Sequence, residues 1–152
     1  MSNELAAFTI EFVVKRECLT EVSHEGAWLD LYLNNIGQGV ALGIKIDPFL
    51  TNQIHSTKAD READSQGIIY FQEIGYLRPG ERERLTYHSK GKPNGGEDVN
   101  DDEDYMFLMQ RGISEDGEIF LQINFEDTQG NNHKQLLRLN KGGCTPQGVR
   151  SR

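Results

Sequence analysis

The sequence predicts an all-β fold, because three observations agree. Apolar and polar residues alternate in several short runs, of which Ile119 to Phe125 is the most regular, and a period of two is typical of half-buried strands. Clusters of Asn, Gly, Asp and Pro interrupt these runs, and such residues favour chain reversal. No run has the pattern of an amphipathic helix long enough to join parallel strands. The strands are therefore expected to pair antiparallel, in a sandwich.

The first half of the chain contains three predicted strands. The Asn-Gly cluster at 34–39 separates the second strand from the third, since Asn and Gly tolerate the positive φ of a reversal. Pro48 closes the third strand because it cannot donate a ladder hydrogen bond. The apolar residues expected on the inner faces are Phe8, Ile10, Phe12 and Val14, then Leu29, Leu31 and Leu33, then Val40, Leu42, Ile44 and Ile46.

The second half is expected to add about five strands around two long polar segments. Residues 51–66 are expected to form either a short helical turn or a solvated loop, and residues 89–104 a loop. Pro79-Gly80 suits the two central positions of a type II turn. The run Tyr105 to Met109 is apolar at every position, which favours a central strand covered on both faces. The remaining predicted strands begin at Ile68, Leu85, Ile119 and His133.

Length and composition are those of a single domain. With 152 residues, we expect one β-sandwich domain at 1–140 and a flexible, Gly-rich tail at 141–152. Cys18 and Cys144 show no framework spacing, so two free thiols and a reducing compartment are favoured. No leader is expected, because the first residues lack a basic start followed by an apolar run, and no run approaches about 20 apolar residues. These observations favour a cytoplasmic protein, with the soluble part of an envelope protein as the alternative.

The negative charge is concentrated in one stretch of the chain. Eleven acidic residues and only one basic residue, Arg111, lie between Glu97 and Asp127, giving that stretch a charge of −10 within a total of −8. Such a region repels phosphate backbones and acidic membrane surfaces. The sequence therefore disfavours nucleic-acid binding and membrane insertion.

The turn motifs resemble those of a group of bacterial domains. The segment 31–41, with Asn35-x-Gly37-x-Gly39-x-Ala41, looks like the strand end and turn of immunoglobulin-like bacterial domains, including cell-adhesion-related CARDB-type modules. Leu77 to Glu81 is similar to their L-x-P-G-E turn, and 124–131 to their late hairpin, with Phe125 where Tyr is usual. The resemblance covers residues 8–139. It implies an antiparallel immunoglobulin-like sandwich of about 7–9 strands and a non-catalytic module, often part of a surface or envelope protein.

Two motifs have some of the features of a ligand-binding site. Gly37-x-Gly39 follows a strand, but the third glycine, Gly43, comes one residue too late for a dinucleotide fingerprint and no helix start follows. In the acidic loop 97–104, four oxygen side chains alternate, which suits a hard cation. Glu103 and Met109 stand where an EF-hand needs Gly and Glu, so the alternatives are a solvated loop or a calcium site shared with Glu115, Asp116 or Asp127. The four alternating side chains are Asp98, Asn100, Asp102 and Asp104.

The remaining candidates favour structural roles. The four histidines, His24, His55, His88 and His133, have no spacing typical of a zinc site. The aromatic residues are expected to fill the core or cap its ends, although they could line a binding face. The basic residues around 78–92 favour a charged edge that discourages strand pairing. The aromatic residues are Trp28, Tyr32, Tyr70, Tyr76 and Tyr87, and the basic residues are Arg78, Arg82, Arg84, Lys90 and Lys92.

These features predict a non-enzymatic interaction module without a cofactor. The expected partner is another protein or a second copy of the chain, and the acidic stretch would steer a basic partner. The alternative is a calcium- or carbohydrate-binding sandwich that uses the loop 97–104.

Overall fold

A computed structural model describes residues 5–14, 29–51, 67–91, 106, 109–110, 113 and 117–151. Every element described from end to end is a strand, which confirms the all-β prediction. The eleven strands are β1 (Phe8–Val14), β2 (Leu29–Asn35), β3 (Ala41–Ile46), β4 (Phe49–Leu50), β5 (Gly67–Phe71), β6 (Ile74–Leu77), β7 (Arg82–Arg84), β8 (Tyr87–Gly91), β9 (Ile119–Glu126), β10 (Asn132–Asn140) and β11 (Gly143–Ser151).

The described strands form three antiparallel sheets. The largest has the order β11-β10-β9-β3-β6, the second β1-β2-β7 and the third β4-β5-β8. The hairpins β9-β10 and β10-β11 have connections of five and two residues, which are too short for a parallel crossover. The eleven described strands exceed the predicted 7–9. The predicted strand from Ile68 is divided into β5 and β6, the segment around Leu85 is divided into β7 and β8, and β4 and β11 were not predicted.

One hydrophobic core lies between the first two sheets. The inward residues of β9 are Ile119, Leu121, Ile123 and Phe125, all of them buried as predicted. Phe8 of β1 contacts Phe125 edge-to-face, with 5.1 Å between the ring centroids. The Phe8 N–H also donates to Oε1 of buried Gln135, at 2.7 Å. The sheet β1-β2-β7 therefore packs against the five-stranded sheet as in a β-sandwich, and its edge N–H at Phe8 is satisfied by the facing layer.

A β-bulge changes the predicted register of β3. The expectation that Val40 and Leu42 face inwards is wrong, because both are only half-buried while Ala41 and Ile44 are buried. Gly43 has a φ of 53°, and the pairing with β9 shifts between Leu42 and Lys45. A bulge inserts one residue into a strand, so the inward positions on either side of Gly43 are three residues apart.

The predicted central strand at 105–109 is also wrong. Met106, Met109, Gln110 and Ile113 have helical backbone and are buried. Their spacing of three, four and seven residues is that of one face of a helix. The periodicity of a short apolar run does not distinguish a strand from a buried helical segment. The run from Tyr105 to Met109 was too short to include Gln110 and Ile113, which extend the helical spacing.

Among the described residues, no helix is long and apolar enough to cross a membrane.

The C-terminal residues form a strand where a flexible tail was predicted. Gly143–Ser151 is β11, the edge strand beside β10. The glycines serve the hairpin turn, since the Gly142 N–H donates to Asn140 Oδ1 at 2.8 Å and Gly143 has a φ of 119°. Pro146 is tolerated because an edge strand need not donate on its open side.

Candidate functional site

Several candidate site residues lie outside the described part of the chain. These are the acidic loop 97–104, Glu115, Asp116, His24, His55, Trp28, Lys92 and Cys18. The calcium alternative that rests on the loop stays a prediction. Among the residues that the structure does describe, no three His, Cys, Asp or Glu side chains gather in a way that could hold a metal ion.

Two of the turn motifs meet at the side chain of Asn35. Its Nδ2 donates to the carbonyl oxygens of Gly39, at 2.8 Å, and Leu77, at 3.0 Å. Its Oδ1 accepts from the N–H groups of Gly37, at 3.0 Å, and Ala7, at 3.4 Å. Asn35 is 1% exposed, so these bonds replace water for every polar atom of the amide. We call this arrangement the Asn35 junction.

The N-terminal segment completes the junction. The N–H groups of Gln38 and Gly39 donate to the Leu5 carbonyl, at 3.1 and 3.2 Å, and the Ile36 N–H donates to the Ala7 carbonyl at 2.7 Å. A Cβ at Gly37 would lie 2.4 Å from the Leu5 oxygen. The absence of a side chain at Gly37 therefore permits the close approach of two backbone segments.

The Pro79-Gly80 turn joins the two facing sheets. Gly80 has a φ of 82° and the Glu81 N–H donates to the Arg78 carbonyl at 3.0 Å, as expected for a type II turn. The Gly80 N–H donates to the Asn35 carbonyl at 2.8 Å, and the Asn35 N–H to the Glu81 carbonyl at 3.0 Å. The turn is thus fixed to the Asn35 junction, and it places β6 and β7 at the same side of the sandwich.

An open groove runs along β6. Among the described strands, β6 ends the five-stranded sheet and β7 ends the β1-β2-β7 sheet. The space beside them has a volume of about 380 Å³. We call it the edge groove, and it is lined by Ile74, Gly75, Tyr76, Leu77, Glu81, Arg82 and Glu83. Tyr76 is 54% exposed, and Ile36, which follows Asn35, is 58% exposed. These are the two most exposed large apolar side chains in the described part of the chain.

None of the described tyrosines is fully buried, so of the two expected structural roles, filling the core or capping its ends, the first is not observed. Tyr76 is exposed, whereas Tyr32, Tyr70 and Tyr87 are half-buried, and only Tyr87 among these four packs against the core cluster. Each of the other three lies beneath a cation, as the face of an aromatic ring favours. The distances from cation to ring centroid are 4.5 Å for Arg82 over Tyr32, 5.5 Å for Arg78 over Tyr76 and 5.7 Å for Lys90 over Tyr70.

The expected charged edge is confirmed at β7. Its three residues, Arg82, Glu83 and Arg84, are all exposed, and β7 is an edge strand. Arg82 Nη1 lies 3.0 Å from Glu11 Oε1. Charged side chains on an edge discourage pairing with another strand. Of the two edges beside the groove, β6 is therefore the one that is free of charge along its length.

Asp127 and His133 close the hairpin between β9 and β10. Asp127 Oδ1 accepts from the N–H groups of Gln129 and Asn131, each at 2.9 Å, and Oδ2 lies 2.9 Å from Nε2 of His133. His133 is 4% exposed, with its ring 5.3 Å from that of Phe125. The hydrogen bond to His133, followed by the bond from the Asn131 backbone, lowers the pKa of Asp127 from 3.8 to about 2. We call this pair the hairpin clasp.

The clasp itself was not predicted. Asp127 was expected in the hairpin motif 124–131 and as a possible calcium ligand, and His133 as a histidine without metal-site spacing. The motif Asp127-x-x-Gly130-Asn131 is a turn in which Gly130 has a φ of 83°. Such a turn brings the residues that flank it together, so the six-residue spacing between an Asp and a His around a tight hairpin was the available indication.

The hairpin clasp makes stability depend on acid pH. Asp127 has a pKa of about 2 in the folded chain and an ordinary value of 3.8. Its contribution is therefore fully present above pH 4 and is lost as the pH falls from 4 to 2. We expect Asp127→Asn to reduce the slope of unfolding free energy against pH in that window, measured by urea unfolding. Asp47→Asn is the control, because it removes another carboxylate. In this variant the slope between pH 4 and 2 that depends on Asp127 should be the same as in the wild type. Equal slopes in wild type and Asp127→Asn would contradict the prediction.

Comparison with protein-family models, with curated proteins and with solved structures found no match to this chain. The resemblance to CARDB-type modules, carried by the turn motifs at 35–41, 77–81 and 124–131, therefore stays a prediction. In the structure all three motifs have a local conformational role. The Asn35 junction uses the first two, and the hairpin clasp uses the third.

Proposed function

We propose that this chain is a non-enzymatic β-sandwich interaction module that binds an extended segment of a partner protein in the edge groove. The observation that carries the proposal is the open edge of β6 beside a groove of about 380 Å³. We include the immunoglobulin-like grouping in the proposal, supported by the two facing antiparallel sheets and by the turn motifs.

The edge of β6 has the features of a site for strand addition. An edge strand presents backbone N–H and C=O groups that an extended peptide can pair with, and neighbouring pockets then select side chains. Gly75 leaves open space, since no heavy atom of the described residues lies within 4 Å of the place a Cβ would take. A strand laid against β6 therefore meets no side chain at Gly75.

Tyr76 is the expected anchor of the bound segment. It combines a large apolar ring with 54% exposure, and tyrosine is enriched among residues that dominate binding energy. Arg78 lies over the ring at 5.5 Å, which restrains it before binding. The charged residues of β7 on the other wall would orient an incoming segment without pairing with it.

The test is a selection from a random library of ten-residue peptides, followed by hydrogen exchange of the complex. We expect the selected peptides to slow amide exchange in β6. Tyr76→Lys places a charge on the edge and should weaken binding about tenfold or more. Phe120→Lys is the matched control, because Phe120 is 37% exposed on β9, away from the edge groove, and it should leave binding within about twofold.

The competing outcomes are distinct. Binders that protect β9 or β10 instead of β6, or binding that Tyr76→Lys leaves unchanged, would overturn the proposed site. A chain that selects no peptide and elutes as a monomer would overturn the interaction function itself. A concentration-dependent dimer that Tyr76→Lys dissociates would identify a second copy as the partner.

A further inference from the structure

A second groove lies on the outer face of the five-stranded sheet, and it is independent of the proposed function. It has a volume of about 470 Å³, which falls within the size range of small-molecule sites. Residues of β3, β9 and β10 line it together with Glu73. Those that carry the argument are Gly43, Lys45, Glu73, Glu126, Asn132 and Lys134. We call it the outer-sheet groove.

Four charged side chains line this groove, and two of them form an ion pair with each other whereas the other two do not. Lys45 Nζ lies 3.7 Å from Glu73 Oε1. Glu126 and Lys134 are different: in the described part of the chain, neither has an oppositely charged group within 4.0 Å. The groove thus presents one carboxylate and one ammonium group that are not neutralised by a protein partner.

The sheet register places these two groups on the same face. Glu126 is opposite Asn132, and Asn124 is opposite Lys134. Glu126 and Lys134 are therefore diagonal neighbours, with about 7–8 Å between such positions in an antiparallel pair. Their chain neighbours Phe125 and His133 are buried and also contribute to the groove wall, and strand alternation places the side chains of Glu126 and Lys134 on the opposite, outer face. A small ligand placed between Glu126 and Lys134 would touch both charges.

The β-bulge at Gly43 provides the room. Gly43 has no side chain and a φ of 53°, a conformation that favours glycine. Glu126 Oε2 lies 3.7 Å from the place its Cβ would occupy. The carboxylate thus leans over the space that the bulge leaves open, while Lys134 flanks the groove from β10. Asn132, exposed between them, adds an amide that can both donate and accept.

We propose that the outer-sheet groove binds a small zwitterion of the α-amino acid type, with its carboxylate at Lys134 and its ammonium group at Glu126. Opposite charges held apart on one face match a ligand that carries both signs, whereas a simple anion would be repelled by Glu126 and a simple cation by Lys134. Because both groups are near solvent, the affinity is expected in the range of about 0.1–10 mM.

The experiment is an NMR titration with each of the twenty L-amino acids, with propionate and ethylammonium as probes that carry one charge only. We expect saturable shifts at the amides of 126, 132 and 134 for at least one amino acid and none for the single-charge probes. Lys134→Gln and Glu126→Gln should each weaken binding about fivefold or more. Lys90→Gln removes a lysine from β8 and is the matched control.

A double variant distinguishes recognition of the ligand's charges from a structural change of the outer sheet face. Exchanging the charges, with Lys134→Glu and Glu126→Lys together, should retain binding within about threefold with the ligand reversed, although each single change abolishes it. The proposal is overturned if no amino acid gives saturable shifts at concentrations up to about 100 mM, tenfold above the weakest Kd expected. It is also overturned if propionate or ethylammonium binds as tightly as the amino acid, or if the neutral variants bind as wild type does.

Discussion

Replacing Asn35 with alanine is expected to lower the free energy of unfolding by about 3 kcal/mol, a large part of the 5–15 kcal/mol typical of a domain. The substitution removes the donor to two carbonyl oxygens, those of Gly39 and Leu77, and the acceptor of the Gly37 N–H. A buried polar group that loses its partner costs about 1–3 kcal/mol. Urea unfolding followed by fluorescence measures the change.

Asn35→Asp distinguishes hydrogen bonding from packing. The side chain keeps its volume, but at neutral pH a carboxylate would face the Gly39 and Leu77 carbonyl oxygens that the amide contacts at 2.8 and 3.0 Å. We expect a loss at least as large as that of Asn35→Ala, because the second oxygen of a buried carboxylate would face two carbonyl oxygens and no donor, which is more costly than a cavity.

The matched control is the neighbouring residue. Asn34→Ala removes an amide whose described bond, at 3.4 Å to Glu11 Oε1, is exposed to solvent. Its effect should stay within about 0.5 kcal/mol. Equal effects at positions 34 and 35 would show that the Asn35 junction contributes no special stability.

The Asn35 junction also shows why the two turns could be predicted from the sequence, whereas the hydrogen bonds that connect them could not. Asn34, Asn35, Gly37 and Gly39 were identified as a reversal from local conformational preference alone. Continuing the alternation of Leu31 and Leu33 by one step places Asn35 on the inner face of β2. That its amide binds the Leu77 carbonyl, forty-two residues away, could not be predicted from a local pattern. The same applies to the edge groove, which exists because the order of strands leaves β6 and β7 at the ends of their sheets.

Two errors arose where a pattern was read with the wrong period. Leu42 was assigned to the core by strict alternation with Ile44, which the bulge at Gly43 interrupts. Met106 and Met109 were assigned to a strand, although Gln110 and Ile113 continue their helical spacing. Where no bulge or change of element intervened, as in β9, alternation predicted the buried face of the whole strand.

The candidate site was less accessible to sequence reasoning than the fold. Tyr76 was expected to be structural because aromatic residues usually help to fill a core. Its exposure follows from its place on a four-residue edge strand next to Gly75. Glu126 and Lys134 fall in different strands, eight residues apart, and only the hairpin register makes them diagonal neighbours.

Gly37→Ala is expected to be the second strongly destabilising change, with a loss of about 3 kcal/mol. The added Cβ would lie 2.4 Å from the Leu5 oxygen, 2.5 Å from the Ala7 nitrogen and 2.8 Å from the Ala6 carbonyl carbon. All three are backbone atoms, so no side chain can rotate away. The N-terminal segment must shift, which breaks its three bonds to the N–H groups of Ile36, Gln38 and Gly39 at about 0.5–1.5 kcal/mol each.

Amide exchange, together with Gly75→Ala as the control variant, tests whether close backbone approach is the cause of the destabilisation. In Gly37→Ala, exchange should accelerate at Ile36, Gln38 and Gly39, whose N–H groups the N-terminal segment covers. Gly75→Ala adds the same methyl group where no atom of the described part of the chain lies within 4 Å, so the stability of this variant should be unchanged or slightly raised. If both variants unfold at the same urea concentration, close backbone approach is not the reason for glycine at position 37. If only Gly37→Ala is destabilised while exchange at 36–39 stays slow, the strain lies within the loop itself and the N-terminal segment remains bound.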